Sequence, residues 1–278
     1  MNLFVTGSTG FIGSHFLRIA LRAGNRIIAI RRSGSVPRIS LPEEPIWLEK
    51  KLADCEPDDF QGVDALIHFA GAGVNPKDAN WDSCFQTNLI DSLRVWRAAS
   101  AGGVKRLIVC GSCFEYGKTG DRVAQISTTD PLEPIGPYPA SKAAATVAAL
   151  ALAHNDKLEC AILRPFHVYG EGEDSARFWP SLRKAALVGQ DYPMTKGEQV
   201  RDFVAVEDVV ARFLDVAVNS DLKPSNPVIY NIGCGKPKTL RDFAEFWWEK
   251  WQAKGKLLIG AVPYRENEVM RYVSQLKL

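Results

Sequence analysis

The first 22 residues, MNLFVTGSTGFIGSHFLRIALR, constrain the fold more than any other stretch. Leu3, Phe4 and Val5 form a short apolar run. Gly7, Gly10 and Gly13 follow at a spacing of three, and Phe16, Leu17, Ile19, Ala20 and Leu21 then recur at helical spacing. The pattern reads as strand, tight glycine turn, helix. Glycine at these places gives access to the backbone. Gly7 can make the turn, Gly10 lets a phosphate approach the main chain, and Gly13 lets the helix lie close to the strand. The start of the helix then offers unpaired N–H groups and a positive dipole end to an anion. Thr6, Ser8, Thr9 and Ser14 place hydroxyls around the same turn. A glycine triplet between a strand and a helix is the context expected of a dinucleotide-binding unit.

The following 90 residues extend this unit. Asn25 to Arg32 reads as a second strand, Ile46 to Leu48 as a short third, Asp64 to Ala70 as a fourth and Arg106 to Cys110 as a fifth. Each is an unbroken apolar run, as expected of parallel strands covered on both faces. Residues 71–80, with Gly71, Gly73 and Pro76, read as a loop above the sheet, and Trp81 to Ala99 as a helix containing Asn88. In a dinucleotide fold the end of the second strand meets the adenosine ribose. An acidic residue there suits the two ribose hydroxyls, and arginine suits a 2′-phosphate. Here the strand ends in Arg31 and Arg32, which read either as a solvated basic turn or as a phosphate site.

After the fifth strand come GSCFEYG and an irregular loop rich in Gly, Thr, Asp and Pro, then the alanine-dense PYPASKAAATVAALALAH. Tyr138 and Lys142 are four apart, so they stack on one helix face. A lysine one turn away stabilises a phenolate and is expected to lower the phenol's pKa, making it a usable acid or base. Such a pair also occurs on ordinary amphipathic helices; its weight comes from its company.

That company is Gly7-x-x-Gly10-x-x-Gly13, Asn88, Ser112 and Tyr138-x-x-x-Lys142, in order and on the expected elements. The later stretches LRPFHVYGEGE, GEQVRDFVAVEDVV, YNIGCGK and PYRENEV join them. As a set they make the chain resemble the extended short-chain dehydrogenase/reductase family, in the branch acting on nucleotide sugars, from residue 1 to about residue 270. The resemblance implies an α/β fold: a doubly wound parallel (Rossmann) sheet with a smaller discontinuous α/β substrate lobe. Residues 1–165 and 203–233 would form the NAD(P)-binding domain, and 166–202 and 234–278 the lobe. It also implies roles. Ser112 would hydrogen-bond the reacting sugar oxygen, Tyr138 would be the general acid/base, and Lys142 would bind the nicotinamide ribose and tune Tyr138. Gly7, Gly10, Phe11, Ile12, Gly13, Arg31, Arg32, Leu52, Ala70, Gly71 and Asn88 would complete the cofactor site. Cys113, His167, Arg201 and Arg265 would face the substrate, the two arginines reaching its diphosphate through bidentate contacts.

Departures from the family pattern narrow the activity. Dehydratases of this branch carry an Asp–Glu pair just after the serine position; here Cys113 and Phe114 stand there, which disfavours water loss. Glu115 is one position late, and His167 replaces a usual asparagine. Lys51 replaces an aspartate that often meets the adenine. Arg31 and Arg32 favour NADP, with NAD as the alternative, and hence an NADPH-dependent 4-ketoreductase ahead of an NAD-dependent 4-epimerase. A non-catalytic nucleotide-binding protein of the same fold ranks below both, since such a protein has no use for Tyr138 beside Lys142. The chain stops soon after PYRENEV, where relatives continue through another helical segment, so a short member or a truncated chain is expected, with Tyr272 to Leu278 packing poorly.

Composition adds exclusions. A net charge of +2 demands neither nucleic acid nor a membrane surface as partner. No apolar run reaches the ~20 residues of a membrane span, and the N-terminus goes straight into the glycine turn without a leader pattern, so a cytoplasmic protein is expected. Cys110 and Cys113 form a lone C-x-x-C at a strand end, without the second pair a zinc site needs, and the four histidines show no ligand spacing. The small side chains from Ala140 to Ala153 allow close approach of another helix, and the resemblance implies a homodimer paired through this helix and the one bearing Asn88.

Overall fold

The computed structural model describes residues 1–75 and 79–276; Pro76, expected in a loop, lies outside the described residues. The main sheet is built from β1 (Asn2–Thr6), β2 (Arg26–Arg31), β3 (Ile46–Glu49), β4 (Ala65–His68), β5 (Arg106–Cys110) and β6 (Glu159–Pro165), joined after the smaller strands β7 (His167–Tyr169), β8 (Tyr192–Met194), β9 (Val200–Arg201) and β10 (Phe203–Ala205) by β11 (Val228–Ile232). Its order is β11-β6-β5-β4-β1-β2-β3, and every pairing in it is parallel. The order in which successive strands are added therefore reverses between β1 and β4, the switch point where ligands of doubly wound sheets bind.

Alternation along each strand buries both faces. Leu3 and Val5 join one core with Phe16, Leu17 and Leu21 of α1 (Phe11–Arg22) and Val209, Val210 and Phe213 of α6 (Val206–Val218). Phe4, Leu66 and Leu107 face the other way, into a core with Val95, Trp96 and Ala99 of α3 (Ser92–Ala101) and Ala145, Ala149 and Ala153 of α4 (Pro137–Asn155). The helix expected over Trp81 to Ala99 is present but not regular. A short α2 (Trp81–Phe85) passes into a π-helical turn, Gln86–Asp91, before α3 begins. The widened turn holds Asn88, whose side chain is tied outside its own helix, and such bulges are frequent at functional sites.

Beyond β6 the chain forms smaller units. β7 pairs with β10. β9 lies between β12 (Lys238–Thr239) and β14 (Arg271–Tyr272), and β8 pairs with β13 (Leu257–Ile259). Leu182, Ala185 and Ala186 of α5 (Phe178–Val188) pack with Ala244 and Trp248 of α7 (Leu240–Lys250), and Phe178, Trp247 and Trp251 lean on that cluster. These aromatics belong to the core of the smaller lobe.

The C-terminal segment corrects an expectation in part: of Tyr272 to Leu278, Gln275 and Leu276 are exposed and residues 277–278 lie outside the described residues, but Tyr272, Val273 and Ser274 are buried rather than loosely packed. The reason is Asp202, a fully buried carboxylate. It accepts hydrogen bonds from Cys234 N (2.8 Å), Gly235 N (3.0 Å) and Ser274 N (3.1 Å), and from the Ser274 hydroxyl. One side chain thus ties two distant segments to the end of β9, and each tie satisfies a buried donor that would otherwise be costly.

Candidate active site

The glycine turn has the geometry its sequence predicted. Gly7 takes a left-handed φ of +64°, and a Cβ there would lie 2.5 Å from Ala70 N. A Cβ on Gly13 would lie 2.2 Å from the Gly7 carbonyl oxygen, so helix and turn are too close for any side chain. Gly10 caps α1 without a side-chain hydrogen bond, and the first turn carries no acid. The leading amides, including those of Phe11 and Ile12, are therefore left for an anion. Below the turn, Thr6 Oγ1 and His68 Nδ1 are 2.9 Å apart, His68 Nε2 and Ser92 Oγ 2.9 Å, and Ala70 N donates to Thr6 Oγ1 at 3.4 Å. Burial, aided by the Lys142 charge, pushes His68 down to about 3, so this chain is neutral and rigid. A cradle closed to Cβ atoms and open to an anion fits a dinucleotide pyrophosphate.

Asn88 serves this cradle indirectly. Its Oδ1 accepts Ala72 N (2.7 Å), while Nδ2 donates to Ala72 O (3.0 Å) and to Ser141 Oγ (2.8 Å). These bonds hold the loop after β4, where Ala70 and exposed Gly71 sit, against α4. Leu52, half-buried, packs against the core beneath β2 and β3.

The paired arginines do not behave alike. Arg31 stacks over Trp47 at 4.6 Å and its guanidinium meets Glu49 at 2.9 Å. Residues 31–42 contain no acid, but the neighbouring parallel strand supplies one, in register opposite Arg31. That removes half of the basis for a 2′-phosphate site. Arg32 is exposed and its side chain makes no hydrogen bond or ion pair among the described residues.

At the end of β5, Ser112 (6 % exposed) accepts the Phe114 N–H at 3.2 Å and lies near enough to the Tyr138 hydroxyl to favour its ionised form. Lys142 is buried on the same helix face, and its ammonium donates to the Cys110 carbonyl. The structure thus brings Ser112, Tyr138 and Lys142 together, but corrects the expected electrostatics. Burial drives the Tyr138 pKa above that of a free phenol, Ser112 only partly opposing it. Desolvation of the phenolate outweighs the lysine, whose charge is turned toward a carbonyl. Tyr138 is accordingly a protonated phenol at neutral pH, ready to donate.

The residues expected at the substrate are less uniform. Cys113 is 1 % exposed and packs with Tyr116, Ile126, Phe166 and Tyr272, in a hydrophobic cluster rather than on an open wall. Burial holds its thiol protonated. His167 lies among the rings of Phe114, Phe203 and Tyr272, and its Nδ1 is buried without a partner. Burial and the Arg201 and Arg177 charges keep it neutral. Arg201 is buried and already engaged by Glu268 Oε1 (2.7 Å), Val269 O (2.8 Å) and Val200 O (3.0 Å), whereas Arg265 is exposed. The two arginines expected to act together therefore differ in burial and in occupancy. Arg177, which the sequence reading passed over, reaches Val74 O at 3.5 Å, acts electrostatically on His167 and Cys113, and pairs with Glu173 at 3.6 Å. Burial raises Glu173 to about 7 and leaves its Oε2 unpartnered. An arginine two residues after a mixed acidic loop carries no spacing signal, so only the fold could place it. Among the described residues no cluster of histidine, cysteine or carboxylate could hold a metal ion.

A nicotinamide-dinucleotide fold with a Ser–Tyr–Lys cluster at its switch point defines a class of redox protein. Comparison with known sequences agrees: residues 3–233 match the model of the NAD dependent epimerase/dehydratase family, and the chain belongs to it. Over 97 % of its length it is 26 % identical to dTDP-6-deoxy-L-talose 4-dehydrogenase (NAD(+)) of Aggregatibacter actinomycetemcomitans, covering 98 % of that protein. It is 28 % identical to UDP-arabinose 4-epimerase 1 of Arabidopsis thaliana over 88 % of the chain, but spans 66 % of that relative. Among solved structures it is similar to MoeE5 in complex with UDP-glucuronic acid and NAD, with a TM-score of 0.86, 26 % identity, and coverage of 100 % of this chain and 90 % of the other.

Proposed function

We propose that the protein interconverts a hydroxyl and a ketone at the 4-position of a nucleotide-linked sugar, as a 4-ketoreductase or, in reverse, a 4-dehydrogenase. The observation that carries this reading is the convergence of Ser112, Tyr138 and Lys142 at the end of β5, beside the glycine cradle. A nicotinamide bound there supplies or accepts the hydride. Ser112 orients the sugar oxygen, and Tyr138 gives it a proton as the ketone is reduced or takes one in the reverse direction. Lys142, one helical turn from Tyr138 and anchored on the Cys110 carbonyl, keeps its ammonium on the same face for the nicotinamide ribose. Arg177 and Arg265 retain donors for a diphosphate, and unpartnered His167 Nδ1 adds a polar atom to the same region.

Net redox chemistry is placed first because the 4-dehydrogenase relative aligns over 97 % of this chain and 98 % of its own length. The second reading, a 4-epimerase with a retained NAD, draws on the same triad and on the epimerase relative. For the cofactor, the Arg31–Glu49 pair favours NAD, and unpaired Arg32 keeps NADP as the second reading. Incubation with dTDP-6-deoxy-L-talose and with UDP-glucose, each with NAD or NADP, decides among these. Stoichiometric cofactor reduction with formation of a 4-ketosugar is expected. An epimeric sugar with no net reduction promotes the epimerase, and no reaction with any nucleotide sugar overturns the assignment.

We also infer a homodimer. The layer of α2, the π-turn and α4 exposes Trp81, Ile90 and Val147, and a partner's identical surface would cover them. Light scattering showing a monomer at micromolar concentration would refute it. No helix among the described residues is long and apolar enough to cross a membrane.

A further inference from the structure

Between Ser112 and the helix that carries Tyr138 lies a fully buried carboxylate for which the reaction itself has no use. Glu115 Oε1 accepts the Ser112 backbone N–H at 2.8 Å. Its Oε2 accepts the Thr146 hydroxyl at 2.8 Å and Arg164 Nε at 2.8 Å. Thr146 is not incidental: Tyr138, Lys142 and Thr146 recur at i, i+4 and i+8, along one face of α4. Glu115 thus grips the backbone of one site element with one oxygen and the tyrosine-bearing face with the other. Arg164 on β6 is anchored in turn. It donates to Tyr116 OH at 2.8 Å and lies over that ring at 4.7 Å, and the Tyr116 hydroxyl donates to Asn231 at 2.7 Å. Gly111 makes the room, since a Cβ there would lie 2.7 Å from Glu115 Oε1 and 2.9 Å from Arg164 Cγ.

A buried ion pair is poor value as a stabiliser, because apolar residues of the same volume do as well or better. A carboxylate offers something they cannot: two acceptor atoms facing different elements. An amide cannot copy it, since its NH2 end would meet either the Ser112 N–H or the Arg164 guanidinium donor to donor. We propose that Glu115, held by Arg164, is a positioning residue that sets the distance between Ser112 and the Tyr138–Lys142 face through Thr146. This rests on the assignment of Ser112 and Tyr138 above.

Thr146→Val tests it gently, removing one hydroxyl and leaving the Glu115–Arg164 pair intact. In crystal structures of the wild type and the variant, the Ser112 Oγ to Tyr138 Oη separation should be longer in the variant; an unchanged separation overturns the proposal. With dTDP-6-deoxy-L-talose and UDP-glucose as probes, kcat should fall roughly tenfold, because small misplacements of reacting groups are costly. KM should stay within about twofold. The tyrosine limb of the pH–rate profile should move to higher pH, as Ser112 moves away from Tyr138, and Thr146→Ser should restore rate and profile. A merely structural threonine would lower the melting temperature without moving that limb, and would overturn the proposal. Glu115→Gln should cost more than Thr146→Val wherever circular dichroism shows it folded. The two readings fail separately. If Tyr138→Phe leaves turnover intact, the function assignment falls and the crystallographic distance still decides the clamp. If Tyr138→Phe abolishes turnover while Thr146→Val is normal in rate and distance, the clamp alone falls.

Discussion

The two halves of the proposed site are built by different means. The proposed dinucleotide half is made of backbone, from the contiguous residues Gly7 to Gly13, and its shape follows from what a Cβ would strike. The proposed substrate half is made of side chains drawn from β7, β9, the residue capping α5 and the segment before β14, and each charged member is partnered or exposed according to its neighbours. The difference teaches where substitution should be absorbed. A backbone cradle has no alternative packing, whereas a side-chain wall can lose one member and keep the rest.

Tyr138, where the two halves meet, should show the largest effect. Tyr138→Phe is expected to lower kcat by ~10²–10⁴-fold with substrate affinity nearly unchanged, because only the proton is lost; steady-state kinetics check it. Next comes the cradle itself. Gly13→Ala sets a methyl carbon 2.2 Å from a carbonyl oxygen that cannot rotate away. It should cost about 1–3 kcal/mol of stability, together with most of the NADH affinity, as read by fluorescence titration. Equal NADH binding would mean that the cradle is as adaptable as the substrate wall. In the proposed substrate half Asp202→Ala orphans the amides of Cys234, Gly235 and Ser274. A loss of about 2–5 kcal/mol in denaturant unfolding is expected, with early proteolysis after residue 270 and cofactor binding preserved.

Acid should weaken both halves together. The folded pKa of His68 is depressed to about 3, and that of His167 lies well below 6.5. The unfolded chain therefore binds these protons first. Their contribution is complete above about pH 6.5 and is lost as pH falls toward the folded values, at up to roughly 1.4 kcal/mol per pH unit for each group. Urea midpoints between those limits should fall with pH, and His68→Gln should flatten part of that slope. The smallest effect separates the arginines. Arg32→Ala should lower any NADPH affinity about tenfold, the worth of one charge-assisted contact, and leave NADH unchanged. Arg31→Ala should disturb both alike, since its stacking and its Glu49 pair are independent of the ribose substituent.

Contiguous, backbone-determined features were legible in the sequence. Three glycines between an apolar run and a helical period can make only a tight turn under a helix start. Unbroken apolar runs between turn signals point to strands covered on both faces, as in a parallel sheet, and a four-residue interval on a helix places Tyr138 and Lys142 on one face. Tertiary structure decided whatever depends on a partner far along the chain. Glu49 reaches Arg31 because β2 and β3 pair in parallel register. Glu115 meets Arg164 across 49 residues of sequence, and Asp202 meets Ser274 across 72. Lys142 turns to the Cys110 carbonyl, and burial rather than the lysine governs the phenol. Backbone sterics act over a few residues and leave a readable period. Charge pairing and desolvation depend on distance in space, which one strand's residues cannot encode without their neighbours.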